Sequence, residues 1–240
     1  MTDFALAETP AAVGLIPECA SPSTAEAFAG LIGDEYKSLS RTIFALRRGP
    51  IRYSRGQTIV IEGEPSEYIV LVISGVIRSF RSFQNGTRGI VAFYLPTEFS
   101  GLTSHSTHSL TSEAAADANI LFFKRSALFS MASHESRIAK FLLTATLHEL
   151  RCTQEHSLLI SRDARCRVAS FLIDLSKRTR TQTCLDLPMS HQDIADHLGL
   201  TIETLSRVIT QMENSGLIAR GGSSRDLILK DRHALVRMTN

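Results

Sequence analysis

The sequence predicts an α+β chain in three parts: an N-terminal antiparallel β jelly roll, a long dimerisation helix and a C-terminal winged helix-turn-helix. Three observations carry that expectation. Short β-type runs punctuated by glycine fill about Ile51 to Phe123; the stretch Ser136 to Ser161 holds neither Gly nor Pro; and two short amphipathic segments meet at Gly199 ahead of a glycine-turned hairpin. The expected boundaries are 1–45 for an arm with short helices, 46–133 for the β domain, 134–161 for the long helix and 162–240 for the winged helix-turn-helix.

Residues 1 to about 25 are rich in Ala, Pro, Ser and Thr and read as a poorly ordered arm, with short helices expected through Ser23–Leu31 and around Glu35–Ile43. The β texture follows. Thr58–Ile61 runs into a turn at Glu62–Pro65, and Tyr68–Ile73 ends at Ser74-Gly75. Val76–Phe83 alternates apolar and polar residues and meets Asn85-Gly86, a hairpin signal because both residues tolerate positive φ. Gly89–Leu95 and Asn119–Phe123 read as later strands. Short strands at near-regular spacing indicate an antiparallel barrel or jelly roll.

The long helix, about 25 residues and on the order of 38 Å, places Leu143, Leu147 and Leu150 at i, i+4 and i+7, with Ile160 further along that side. One reading packs this helix on its own barrel. A dimer seam accounts better for a stripe this narrow, interrupted by Thr153, Gln154 and Ser157. Asp163–Lys177 forms a second amphipathic helix through Val168, Phe171, Leu172 and Leu175, and a short strand at Leu185–Leu187 follows.

Ser190 and Asp193 have the spacing of a capping box, with Asp in place of the favoured Glu. That helix turns Ile194, Ala195 and Leu198 inward and stops at Gly199. A second helix begins at Thr201 and runs through Leu205, Val208, Ile209 and Met212. Two helices crossing this closely need a small residue and a left-handed turn, which Ala195 and Gly199 supply. Leu217–Ala219, a turn at Gly221–Arg225 and Leu227–Lys230 then make the wing. An ordinary helical hairpin could share the crossing but not the wing.

Opposite its apolar side, the second helix carries Ile202, Glu203, Ser206 and Arg207. Glu203 and Arg207 could simply form a solvated i, i+4 pair. Their place at the start of a recognition helix favours base reading, with guanidinium on guanine O6/N7 and carboxylate accepting from cytosine N4. Ser190, Thr201 and Thr204 could donate hydroxyls to phosphates, and Lys177, Arg178 and Arg180 could supply charge. From Arg162 onward there are 12 Lys and Arg against 9 Asp and Glu within a chain of net charge +2, a lean whose direction fits a nucleic-acid partner.

Cys19, Cys152, Cys166 and Cys184 are scattered, with no CxxC pair and no His at zinc-ligand spacing, so they read as reduced thiols and no metal is expected. The first basic residue is Lys37, unlike a secretory signal, and the apolar run Ile69–Ile73 is too short to span a bilayer. The cytoplasm is the expected location.

The order of parts resembles the CRP/FNR family of bacterial transcription regulators from about Ile51 to Lys230. The resemblance rests on Gly63-Glu64, Gly75, Asn85-Gly86, Thr97–Gly101, the long helix and the segment Asp193–Arg207. Ile202-Glu203-x-x-Ser206-Arg207 looks like the FNR/FixK branch, since CAP-like members carry a further arginine where Ile202 stands. The resemblance implies a cyclic-nucleotide-binding-like jelly roll acting as a sensor-like domain. It also implies a homodimer on a palindrome close to TTGAT-N4-ATCAA, an activator role in oxygen- or redox-linked control, and a contact of the Asn85 hairpin with RNA polymerase.

Two departures bear on the signal. Only Cys19 stands where iron–sulfur members keep their cysteines. Leu102 follows Gly101, and Gly89 to Phe123 contains no Lys or Arg to meet a cyclic phosphate, while Glu98, Glu113 and Asp117 oppose one. The resemblance therefore implies a FixK-like regulator without a cofactor, controlled by its abundance or by thiol chemistry. Cys184, in the basic lead-in to the reader, reads either as a sequestered, inert cysteine or as the candidate redox thiol. The alternatives are a small-molecule-gated regulator and a cupin-like metalloenzyme using His105 and His108. On a strand, the spacing of those two histidines would point them to opposite faces. The expected chain is not an enzyme.

Overall fold

The computed structural model describes residues 46–239 apart from 85, 104 and 224. The expected arm with its two helices and Cys19, and Asn85 of the expected hairpin, lie outside the described residues.

Eight strands come first: β1 (Arg47–Tyr53), β2 (Thr58–Val60), β3 (Tyr68–Ser74), β4 (Ile77–Ser82), β5 (Arg88–Tyr94), β6 (Phe99–Ser100), β7 (Thr111–Ala114) and β8 (Ala118–Lys124). They form two antiparallel four-stranded sheets, in the orders β1-β8-β3-β6 and β2-β7-β4-β5. Val70, Val72, Ile120 and Phe122 of the first sheet pack against Ile77, Tyr94 and Ala114 of the second. This is a jelly-roll sandwich, as expected. β1 begins earlier than the sequence texture suggested, and the short polar strands β6 and β7 carry no alternation that would have betrayed them. Gly75 closes the turn after β3 at φ +78°, where a Cβ would lie 2.1 Å from the Asp117 carbonyl oxygen.

The run Tyr68–Ile73 is apolar throughout because both faces of β3 are covered. Ile69 and Leu71, with Leu121 and Phe123 of β8, meet Leu128 of helix α1 (Arg125–Ala132) and Ile138, Phe141 and Leu142 of α2 (Ser136–Leu159). Helix α1 is an element the sequence reading did not foresee. Helix α2 covers nearly the residues expected of the long helix. Its N-terminal half lies on the barrel, while Leu143, Leu147 and Leu150 remain 58%, 54% and 51% exposed on another side.

The C-terminal part comprises α3 (Ala164–Arg178), β9 (Cys184–Asp186), α4 (His191–Leu198), α5 (Ile202–Asn214), β10 (Ile218–Arg220), β11 (Asp226–Leu229) and an unforeseen α6 (Arg232–Met238). The wing strands pair with β9 in the order β10-β11-β9, which gives the otherwise marginal hairpin a third strand. Val168, Leu172, Ile194, Ala195, Leu198, Leu205, Val208 and Met212 form the core of this part. The same cluster continues into the β domain through Val76, Phe80, Ile90, Phe93 and Leu95. The outer face of the β4–β5 ribbon is therefore buried against the helix-turn-helix.

Neither His105 nor His108 lies on a strand, so the opposite-face argument does not apply to them. His105 is exposed in the loop and His108 is buried beside Gly101. Among the described residues no group of three His, Cys, Asp or Glu could hold a metal ion, and no helix is long and apolar enough to cross a membrane.

Candidate nucleic-acid interface

The reading element is assembled by local chemistry. The Asp193 N–H donates to Ser190 Oγ at 3.1 Å, and the Ser190 N–H donates back to Asp193 Oδ2 at 3.3 Å, the reciprocal capping box that starts α4. Helix α4 ends at Gly199, whose left-handed backbone (φ 60°) lets the Leu200 N–H reach the Ala195 carbonyl at 2.9 Å. Two residues later Thr201 caps α5, accepting from the Thr204 N–H at 3.2 Å. Leu205, Val208, Ile209 and Met212 are buried, so the 3.6-residue period leaves Ile202, Glu203, Ser206 and Arg207 together on the solvent side.

Glu203 and Arg207 do not close an ion pair among the described residues. The Glu203 carboxyl is nevertheless held below its usual range by its own backbone N–H at the helix start, then by the Thr201 hydroxyl and the Arg207 charge. It is therefore an acceptor at neutral pH. This face presents one acceptor, one guanidinium and a hydroxyl over one helical turn, the groups that base edges in a major groove require.

Among the expected phosphate contacts, Lys177 and Arg180 are exposed just beyond the core of α3. Ser190 Oγ and Thr201 Oγ1 already accept cap hydrogen bonds, and Thr201 shares a 3.1 Å contact with the Thr204 hydroxyl, so each retains only part of its capacity. Arg178 requires a correction. Its guanidinium is turned into the molecule, donating to Glu98 Oε1 at 2.8 Å and Oε2 at 2.6 Å, to Asp174 at 3.1 Å and to the Phe93 carbonyl. Four of its five N–H donors are thus directed at carboxylates and a carbonyl inside the molecule, which leaves a single N–H and no free fork for a phosphate. The sequence reading missed Arg220 and Arg225 of the wing. Arg220 is 73% exposed beside Glu213, and Arg225 stands in the exposed turn. Charge within the hairpin was the available signal.

Leu143, Leu147, Leu150 and Ile160 are all exposed, and Leu158 joins them at 69%. Cys184 is exposed on β9, opposite Ile228. By contrast, Cys166 is buried and its thiol donates to the Met238 carbonyl at 2.9 Å.

Inside the β domain a cavity of ≈ 200 Å³ lies between the sheets and α2, bordered by Ser79, Tyr94, Ser100, His108, Ser112 and Glu149. None of the described residues lining it is Lys or Arg. His108 is disfavoured as a cation by burial, and burial raises the Glu149 carboxyl, which accepts from Tyr94 Oη at 2.8 Å. A cyclic phosphodiester would find no counter-charge there, and the volume falls below the roughly 300–1,000 Å³ of usual ligand sites. The residues present do not fit a cyclic nucleotide.

Where α4 meets the β domain, His197 Nδ1 donates to the Ile90 carbonyl at 3.1 Å and its ring stacks on His156 at 4.3 Å. Burial, then the neighbouring His156, pushes its pKa down to about 3. Because that value lies below the unfolded 6.5, the neutral ring's contribution is whole above about pH 6.5 and shrinks as pH falls toward about 3. Urea denaturation should show this group costing roughly 1 kcal/mol per pH unit on acidification below pH 6.5, a slope that His197→Phe flattens. An unchanged slope in the variant would refute the assignment.

A model of the Crp-like helix-turn-helix domain matches residues 166–238, and one of the cyclic nucleotide-binding domain matches 50–135. "Nitrogen fixation regulation protein FixK" of Azorhizobium caulinodans is 38% identical over 215 residues, 87% of this chain and 86% of the relative. "Transcriptional activator protein FnrL" of Cereibacter sphaeroides is 30% identical over 188 residues, 75% of each chain. The solved structure of FixK2 from Bradyrhizobium japonicum superposes with a TM-score of 0.76 at 36% identity, covering 79% of this chain and 96% of that one.

Proposed function

The chain belongs to the CRP/FNR family of transcription regulators, on its FixK-like side, and from that premise we propose that it is a DNA-binding activator acting as a homodimer on a palindrome close to TTGAT-N4-ATCAA. The observation that carries this reading is the solvent face of α5, where Ile202, Glu203, Ser206 and Arg207 stand together at the start of a helix whose opposite, apolar face is buried in its own domain. Arg207 reads a guanine, Glu203 accepts from a cytosine, Ser206 adds a hydroxyl and Ile202 an apolar contact. Lys177, Arg180, Ser190, Thr201 and Thr204, with the wing arginines, hold the phosphates.

Two copies meet along α2 through Leu143, Leu147, Leu150 and Ile160, burying an apolar stripe that the chain's own barrel leaves open. On this reading 46–133 is the sensor-like domain, 134–161 the dimer helix and 162–240 the reader. The protein works in the cytoplasm with RNA polymerase as its further partner, in oxygen- or redox-linked control. It uses no cofactor. Cys184, exposed on the strand that backs the wing, is the thiol through which oxidation would act. Selection of bound duplexes from a random pool by the full chain tests the function. Enrichment of a palindrome with TTGAT-like halves supports it, and no enrichment at low salt by a confirmed dimer would overturn it.

A further inference from the structure

Two recognition helices can match two half-sites only if each is held at a set distance from the two-fold axis. In this chain α2 is tied to the β domain by the Tyr94–Glu149 hydrogen bond and by Phe141 against Phe99 at 5.2 Å, so the β domain is carried rigidly with the seam. The reader hangs beyond α2 on an exposed link, residues 160–163. A short exposed link cannot by itself fix a helix some distance away. What removes its freedom is contact with the rest of the chain: Arg178 of α3 on Glu98 and the Phe93 carbonyl, His197 stacked on His156 of α2, and, at the start of the helix-turn-helix itself, α4 against the β4–β5 ribbon.

That contact has an apolar part and a charged part. Phe80, Ile90 and Phe93 lie against the reader, with Phe93 and Phe171 at 6.3 Å between ring centroids. Apolar surfaces of this kind can slide by fractions of an ångström at little cost. The charged part cannot. Arg78 Nη1 donates to Asp193 Oδ1 at 2.6 Å and Nη2 to Glu113 Oε2 at 2.7 Å, so one guanidinium joins β4, β7 and the first turn of α4. Arg78 and Asp193 are 8% and 1% exposed. Separating them would strand a buried carboxylate and a buried guanidinium, an outcome far costlier than slippage of methyl groups. Asp193 is also the carboxylate that closes the capping box, so the ion pair grips α4 at the point from which the helix-turn-helix is built.

We propose that Arg78 is a specificity-determining residue that sets the spacing between half-sites by pinning α4 to the β domain through Asp193. It touches no base; it is a positioning residue. The inference rests on the dimeric, palindrome-reading function proposed above. The reading face of α5 is exposed with the ion pair formed, so the pinned state is compatible with DNA. Adding one base pair to the spacer moves a half-site by about 3.4 Å and turns it by about 35°, a shift the pinned reader cannot follow and a freed one can.

The test uses the full chain, with duplexes carrying one half-site and palindromes whose spacers differ by single base pairs. The native protein is expected to prefer one spacer over its neighbours by roughly tenfold. Arg78→Met combined with Glu113→Gln leaves no unpaired Glu113 carboxylate in the β domain, while Asp193 loses its guanidinium but keeps the Ser190 N–H of the capping box as a partner. The double variant is expected to keep the dimer mass in sedimentation and the half-site affinity, while its spacer preference falls to within about threefold. Arg78→Lys, whose compact ammonium cannot reproduce the fork that reaches Asp193 and Glu113 at once, should fall between the two. The proposal is overturned if the double variant keeps the native spacer preference. It is equally overturned if half-site affinity falls in step with palindrome affinity, since Arg78 would then act on the reader's own fold. A native chain that binds no half-site, or that sediments as a monomer, would instead remove the function reading, and this inference with it.

Discussion

Arg207→Ala is expected to relax discrimination at one guanine of each half-site by about 1–3 kcal/mol while leaving the fold intact. Its side chain is exposed, and the apolar residues that flank it in sequence, Leu205 and Val208, carry the helix packing. Truncation therefore removes a donor fork and little else. The loss should be confined to one position of the recognition sequence, visible as a flattened column in a selection experiment and as a smaller affinity gap between matched and mismatched duplexes. Lys177→Ala provides the contrast. Without that ammonium on its phosphate, all duplexes should bind more weakly to about the same degree, and the salt slope should fall by about 1. An Arg207→Ala protein with unaltered base preference would remove Arg207 from the reading face.

Leu150→Arg is expected to abolish the dimer at micromolar concentrations and to weaken palindrome binding with it. A symmetric seam receives the substitution twice, and a guanidinium taken into an apolar seam without a partner costs on the order of 3 kcal/mol or more. Because Leu150 is 51% exposed in the single chain, the monomer loses little packing, so its melting should be close to that of the isolated native protomer. Sedimentation distinguishes the outcomes. A variant that retains the dimer mass would place the interface elsewhere than the Leu143–Leu147–Leu150 stripe, and half-site binding by the monomeric variant would show the reader itself undamaged.

Much of this molecule was legible one residue at a time. The capping box at Ser190 and Asp193, the left-handed stop at Gly199, the new cap at Thr201 and the alternation of buried and exposed positions through Met212 are all local. Backbone geometry and hydrogen-bond valence act over three or four residues, so the amino-acid order alone determines them. The long helix was legible for the same reason: an uninterrupted run with a leucine stripe has few other forms open to it. Strands β6 and β7 were not legible, because pairing partners rather than side-chain pattern hold two to four residues in extended form. Nor were α1 and α6, short helices whose burial depends on distant strands and helices.

The roles of the charged residues divide along the same line. Glu203 and Arg207 could be placed on one face from their spacing of four. The fate of Arg178 could not, since Glu98 lies 80 residues away and no periodicity links them. The pairing of Arg78 with Asp193, 115 residues apart, is of the same kind. Local order thus determined which elements form and which faces they offer, because those depend on short-range sterics and periodicity. Only the folded arrangement decided which cations face solvent and which are consumed inside, because an ion pair between remote segments exists only once packing has brought them into contact and excluded water.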